Sequence, residues 1–134
     1  AVTAVYSIYG VDILEDNAGE CRQRLFKIFD DRYTAHFKNR CKPECRRSVL
    51  FLLSKNIING DATSYCIPNT DKPIIFSEWT PIGKKMQRKD WVFEFLAKGS
   101  YQLKLFDEHD QPQFFDRSIK QYQPVDYLKL GEDE

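Results

Sequence analysis

Hydrophobic and polar positions alternate along much of this chain, and the alternation predicts a series of short strands. "TAVYSIYGVDIL" (Thr3 to Leu14) carries β-branched and aromatic residues at both alternating sets of positions, as a strand buried on two sides would. "EDNAGE" breaks it. Asn17 and Glu20 have the spacing of a capping box, so a short helix is expected over 18–29, with Leu25, Ile28, Phe29, Tyr33 and Phe37 on one face. The same stretch also reads as two strands, "RLFKIF" and "RYTAHFK", split by Asp30 and Asp31. "CKPEC" is a turn set by Pro43, and "RSVLFLLSK" (Arg47 to Lys55) a buried strand. Asn59-Gly60-Asp61 signals a tight turn with a positive φ. "IIFSEW" (Ile74 to Trp79) is a further strand, followed by the polar basic loop "TPIGKKMQRK". "DWVFEFL" (Asp90 to Leu96) and "SYQLKLFD" (Ser100 to Asp107) form two more strands joined by "AKG", and "VDYLKL" (Val125 to Leu130) closes the chain before a solvated "GEDE" tail. No internal repeat is present. Short strands with turn signals between them predict a mainly β fold, an antiparallel sandwich with a short helix near 18–29; α+β or a small β-barrel are the alternatives.

The best patterned stretch, "AKGSYQLKLFDEHD" (Ala97 to Asp110), refines that expectation. Gly99, Tyr101 and Leu103 are arranged like the corner before the penultimate strand of immunoglobulin-like sandwiches, where a tyrosine hydroxyl pins the bend two residues before a core position. Leu103 and Leu105 would face the core, with Trp79 or Trp91 as its large aromatic. "GSYQLKLFDE" (Gly99 to Glu108) also resembles the strand-and-turn segment of the luminal domain of the translocon-associated protein delta subunit. That resemblance implies an immunoglobulin-like sandwich of the endoplasmic reticulum with no catalytic role.

At 134 residues the chain fits one domain with a single core. Twenty basic residues balance twenty acidic ones, which argues against a dedicated nucleic-acid binder, whose phosphate contacts call for a net basic surface. Ten Phe and seven Tyr suit a β-rich core, and the longest apolar run, Ser48 to Leu53, is strand-sized and too short to cross a bilayer. The small residues of "AVTAVYSIYG" are consistent with signal-peptidase processing. Cys21, Cys41, Cys45 and Cys66 are even in number, which favours two disulfides and a secreted or endoplasmic reticulum location. Cys21–Cys41 with Cys45–Cys66 is the preferred of three pairings. Zinc is the rival reading, weakened by the lack of a C-x-x-C knuckle. No N-glycosylation sequon is present.

Candidate chemistry is sparse. Only His36 and His109 supply imidazoles, and neither sits in a recognisable catalytic motif. Asp107, Glu108 and Asp110 around His109 are weak calcium candidates, with Asp116 nearby, but their spacing is that of a solvated acidic turn and not of an EF-hand loop. Lys84, Lys85, Arg88 and Lys89, near both tryptophans, would suit, as a candidate partner contact, acidic lipid headgroups, a sulfated glycan or RNA; a solubilising loop has the same composition. Phe114 and Phe115 point opposite ways on a strand, so one is free to anchor a partner. With no cofactor motif, the sequence reads as a non-enzymatic protein-interaction module; the alternatives are a secreted effector or small-ligand carrier, and a small hydrolase. An apolar cavity large enough for a ligand would favour the carrier reading.

Overall fold

The computed structural model describes residues 1–98, the backbone of Leu105–Phe106 and Pro112–Gln113, and residues 118–134. The architecture is α+β: two helices pack against a small sheet, and the mainly β sandwich expected from the alternation is overturned. The elements are β1 (Gly10–Asp12), α1 (Glu15–Phe37), α2 (Pro43–Asn56), β2 (Ile57–Asn59), β3 (Ile75–Ile82), β4 (Lys85–Val92), α3 (Phe93–Ala97), β5 (Leu105–Phe106), β6 (Pro112–Gln113), β7 (Lys120–Gln121) and β8 (Val125–Asp126).

The clearest departure is α2, where the sequence predicted a strand. Its buried residues are Cys45, Ser48, Val49, Leu52, Leu53 and Asn56, spaced three, one, three, one and three apart, which is one stripe of a helix. The continuous run "SVLFLL" hides that period, because Leu50 and Phe51 fall off the stripe and Leu50 is exposed. Pro43 occupies the first turn, where its missing N–H costs nothing. Leucine favours helix, and Val49 is the only β-branched residue in the element.

Helix α1 is far longer than the 18–29 expected. Asn17 lies inside it and does not cap it; no side chain bonds at the Leu14 cap position, and Glu15 and Asp16 complement the helix dipole in the first turn. The end comes at Lys38, whose φ of 52° turns the chain while its N–H bonds to the Thr34 carbonyl. Along the inner face the rings of Phe26, Phe29, Tyr33 and Phe37 follow one another at centroid distances of 6.2, 5.3 and 5.1 Å. Ile28, expected on that face, is exposed.

The stretch 3–14 yields only a 3-10 turn at Val2–Ala4 and the short β1, which pairs parallel with β2. Gly60, at the end of β2, has no positive φ. Its reason is space: a Cβ there would run into the side chain of Ile74, with Cγ1 at 2.9 Å. The residues expected as a basic loop instead make the longest pairing among the described residues, β3 against β4 in register from Ile75–Val92 to Ile82–Lys85. Gly83, first of the two loop residues, has φ 60° while Lys84 does not, the signature of a type II′ hairpin turn. With β3 along one edge of β4, β7 and β8 pair in turn along the other. The 90–96 strand is divided between β4 and α3, and 125–130 contributes only β8 before turning.

Alternation along the hairpin gives the sheet two dissimilar faces. Ser77, Trp79, Met86 and Asp90 are buried on the inner face, which meets α2. Trp79, Met86, Val49, Leu52, Leu53, Phe29, Tyr33 and Leu130 belong to one core. Phe76, Glu78, Lys89 and Trp91 occupy the opposite face. Among the described residues no helix is long and apolar enough to cross a membrane.

Candidate functional site

The inner face carries a polar cluster set in an aromatic frame. Arg88 Nε donates to Asp90 Oδ1 at 2.8 Å and to Ser77 Oγ at 2.9 Å, and its NH2 reaches Asp90 Oδ2 at 3.1 Å. Ser77 Oγ donates to Asp90 Oδ1 at 2.7 Å, and the Tyr122 hydroxyl donates to Asp90 Oδ2 at 2.9 Å. Arg88 NH1 holds Glu134 at 2.9 Å, and the guanidinium lies 4.3 Å from the Tyr122 ring centroid, 5.7 Å from Trp79 and 5.8 Å from Phe51. Burial works against the Arg88 cation, but Asp90 and Glu134 outweigh it and raise its pKa above the ordinary value. Tyr122 is also raised, by burial first and then by its bond to Asp90. Next to this cluster, Trp79 Nε1 donates to Asn56 Oδ1 at 2.8 Å and Asn56 Nδ2 donates to the Tyr6 carbonyl at 3.0 Å. These groups satisfy one another, so the cluster ties sheet, α2 and both ends of the chain together.

The outer face carries a different arrangement. A cleft of about 600 Å³ is lined by Tyr9, Gly10, Val11, Phe76, Ser77, Glu78, Trp91, Phe93, Leu96 and Ala97. Tyr9, just before β1, reaches across to donate its hydroxyl to the Ser77 carbonyl at 2.7 Å. That contact places its ring edge-on to Phe76 at 5.6 Å and 81°. Burial, then the Glu78 charge, pushes the Tyr9 phenol up to about 12. Phe93 begins α3 with its N–H on the Ile74 carbonyl at 2.8 Å, and its ring meets Phe76 at 5.2 Å and 76°. Tyr65, held at φ 61°, stands edge-on behind Phe93 at 5.6 Å. Trp91 Nε1 donates to Glu78 Oε2 at 2.8 Å across the hairpin.

The residues singled out from sequence are scattered by this fold. Arg88 leaves the expected basic cluster for the inner face; Lys85 and Lys89 lie on the outer face and Lys84 in the hairpin turn. The disulfide expectation is corrected: Cys21, Cys41, Cys45 and Cys66 are all free. Cys21 and Cys41 are held apart by α1, because the sixteen helical steps from Cys21 to Phe37 span about 24 Å, far beyond the ~7 Å Cα separation a disulfide tolerates. Cys45 is buried in the core at 3% exposure, Cys41 Sγ lies 3.5 Å from the Tyr33 carbonyl, and Cys66 bridges Asp61 and Pro73 in the loop after β2. With the thiols unpaired, the cysteine count no longer speaks for a secretory route. No three His, Cys, Asp or Glu side chains among the described residues converge on a metal position. His36 lies against Phe37 on α1, remote in sequence and element from the cleft. Gly99, Tyr101, Leu103, Asp107, Glu108, His109, Asp110, Phe114, Phe115 and Asp116 lie outside the described residues.

Sequence reasoning missed Tyr9, Phe76, Glu78, Trp91 and Phe93 as a group. The signal was the two-residue Gly83-Lys84 turn: folding the chain there aligns Phe76 with Trp91 and sets Glu78 diagonal to it. Comparison with protein-family models, curated proteins and solved structures returned no match. The resemblance to the translocon-associated delta subunit therefore rests on residues 99–108 alone.

Proposed function

We propose that this chain is a non-enzymatic ligand-binding module whose ligand occupies the aromatic cleft. The observation that carries the reading is the lining. About 600 Å³ falls within the size range of small-molecule sites, and Tyr9, Phe76, Trp91 and Phe93 surround it with, among the described residues, a single charged one, Glu78. The polar groups there are hydrogen-bonded in pairs, as in a site that orients a ligand, and among the described lining residues no nucleophile is paired with a base. A neutral solvatochromic dye such as Nile red tests it. Dye fluorescence should rise with the native protein, and Trp91→Ala combined with Leu96→Ala should remove most of the rise without unfolding the chain. An undiminished rise in the double variant would place apolar binding elsewhere and refute the proposal.

A second reading, a protein-contact module, is supported by Ile13, Leu14 and Ile28, which leave more than half their surface in solvent at 57%, 54% and 56%. Self-association or capture of a partner that is lost on Ile28→Lys, with the dye response intact, would favour it over the cleft.

A further inference from the structure

We infer that the cleft selects an organic cation: an alkylated ammonium small enough to sit among the rings. The inference rests on the cleft being the ligand site proposed above.

Two features of the lining point to positive charge. The first is ring orientation. Tyr9 and Phe93 each stand nearly perpendicular to Phe76, at 81° and 76°, with centroids 5.6 and 5.2 Å away. Phe76 is buried, while Tyr9 is 45% exposed, so Phe76 forms the floor and Tyr9 and Phe93 rise from it as walls. Trp91, the cross-strand neighbour of Phe76, closes a further side. Ring faces are electronegative, and several of them around one space attract a cation whose charge is spread over methyl groups and weakly hydrated. A compact, strongly hydrated ammonium gains less there, since it must first shed its water.

The second feature is Glu78. It is the only charged residue of the lining among the described residues, and its carboxylate is fixed beside the Trp91 ring by the 2.8 Å bond from Nε1. That bond occupies Oε2, and Oε1 has no hydrogen-bond partner among the described residues. Lys89 stands opposite Glu78 in the β3–β4 register, yet among the described residues Glu78 forms no ion pair within 4.0 Å. Burial first, and the Glu78 charge second, raises the Tyr9 phenol, and the neutral hydroxyl keeps Tyr9 bound to Ser77. An anionic ligand would meet Glu78 as a like charge; a neutral one would gain nothing from it.

Choline and its neutral carbon isostere, in which carbon replaces the nitrogen, differ in charge at nearly constant shape, so titration calorimetry with the pair isolates the charge. Choline should bind about tenfold more tightly than the isostere. Glu78→Gln should weaken choline about tenfold and leave the isostere unchanged, while Trp91→Ala weakens both. Glu78 is exposed, so its variant tests the site without disturbing the core. Equal affinity for the two probes, or a Glu78→Gln variant that binds choline as the parent does, overturns the selection for charge while leaving the cleft as an apolar site. If neither probe binds although the neutral dye still does, the cation inference alone fails; if the dye fails too, both readings fall. Adhesion to phosphatidylcholine vesicles without binding of free choline would overturn a small-ligand role in favour of a membrane surface.

Discussion

Replacing Arg88 with methionine isolates the electrostatic part of the buried cluster, because methionine retains an unbranched stem against Trp79, Phe51 and Tyr122. Arg88 and Asp90 side chains are both 11% exposed, so water replaces little of what is lost. Asp90 would keep the hydroxyls of Ser77 and Tyr122 but lose both bonds from the guanidinium, leaving a buried carboxylate without a countercharge. Stranding such a charge costs about 3–5 kcal/mol. The Glu134 contact adds about 1 kcal/mol at most, since that carboxylate is 39% exposed and screened. Against a total stability of about 5–15 kcal/mol the variant should be badly weakened. With a urea dependence of ~1–3 kcal/mol per molar, the unfolding midpoint should fall by roughly 2 M. Arg88→Met combined with Asp90→Asn removes the stranded charge while keeping an acceptor for Tyr122, and should regain about 2 kcal/mol or more. A single variant within about 1 kcal/mol of the parent would refute the reasoning. So would a double variant no more stable than the single one.

Ser48 Oγ is fully buried in α2 with no hydrogen-bond partner among the described residues, so Ser48→Ala should raise stability by about 0.5–1 kcal/mol in the same urea assay. A thiol titration in denaturant without reductant should return four thiols; in the native protein Cys21 should react first and Cys45 only on unfolding. Folded Tyr9 holds its proton to about 12 against an ordinary 10.0, so its contribution to stability is complete below about pH 10 and lost as pH rises through about 12. Tyr9→Phe should flatten that alkaline limb, measured as unfolding midpoint against pH.

Several local features were legible because they depend on neighbours in sequence. The helical face of Leu25, Phe29, Tyr33 and Phe37 and the strand beginning near Ile74 follow directly from period and composition. Alternation misled where the two periods overlap: six consecutive apolar or small residues at 48–53 fit a strand, and only the wider stripe from Cys45 to Asn56 marks the helix. The loop reading of 80–89 failed because long basic side chains look solvated in sequence, whereas the type II′ turn at Gly83 pairs them against β3.

By itself the sequence determined local features such as the apolar stripe of α1 and the reversal that Gly83 permits, since those depend on side chains a few residues apart and on the positive φ that glycine adopts without strain. Which side chains share a site was decided only in three dimensions. Tyr9 meets Phe76 and Ser77 across 67 and 68 positions, and Glu134 meets Arg88 across 46. A carboxylate beside four rings, and an arginine withdrawn from a basic run into the core, exist only after the hairpin closes and the helices cover one of its faces, because long-range packing and not local propensity selects which surface each residue meets.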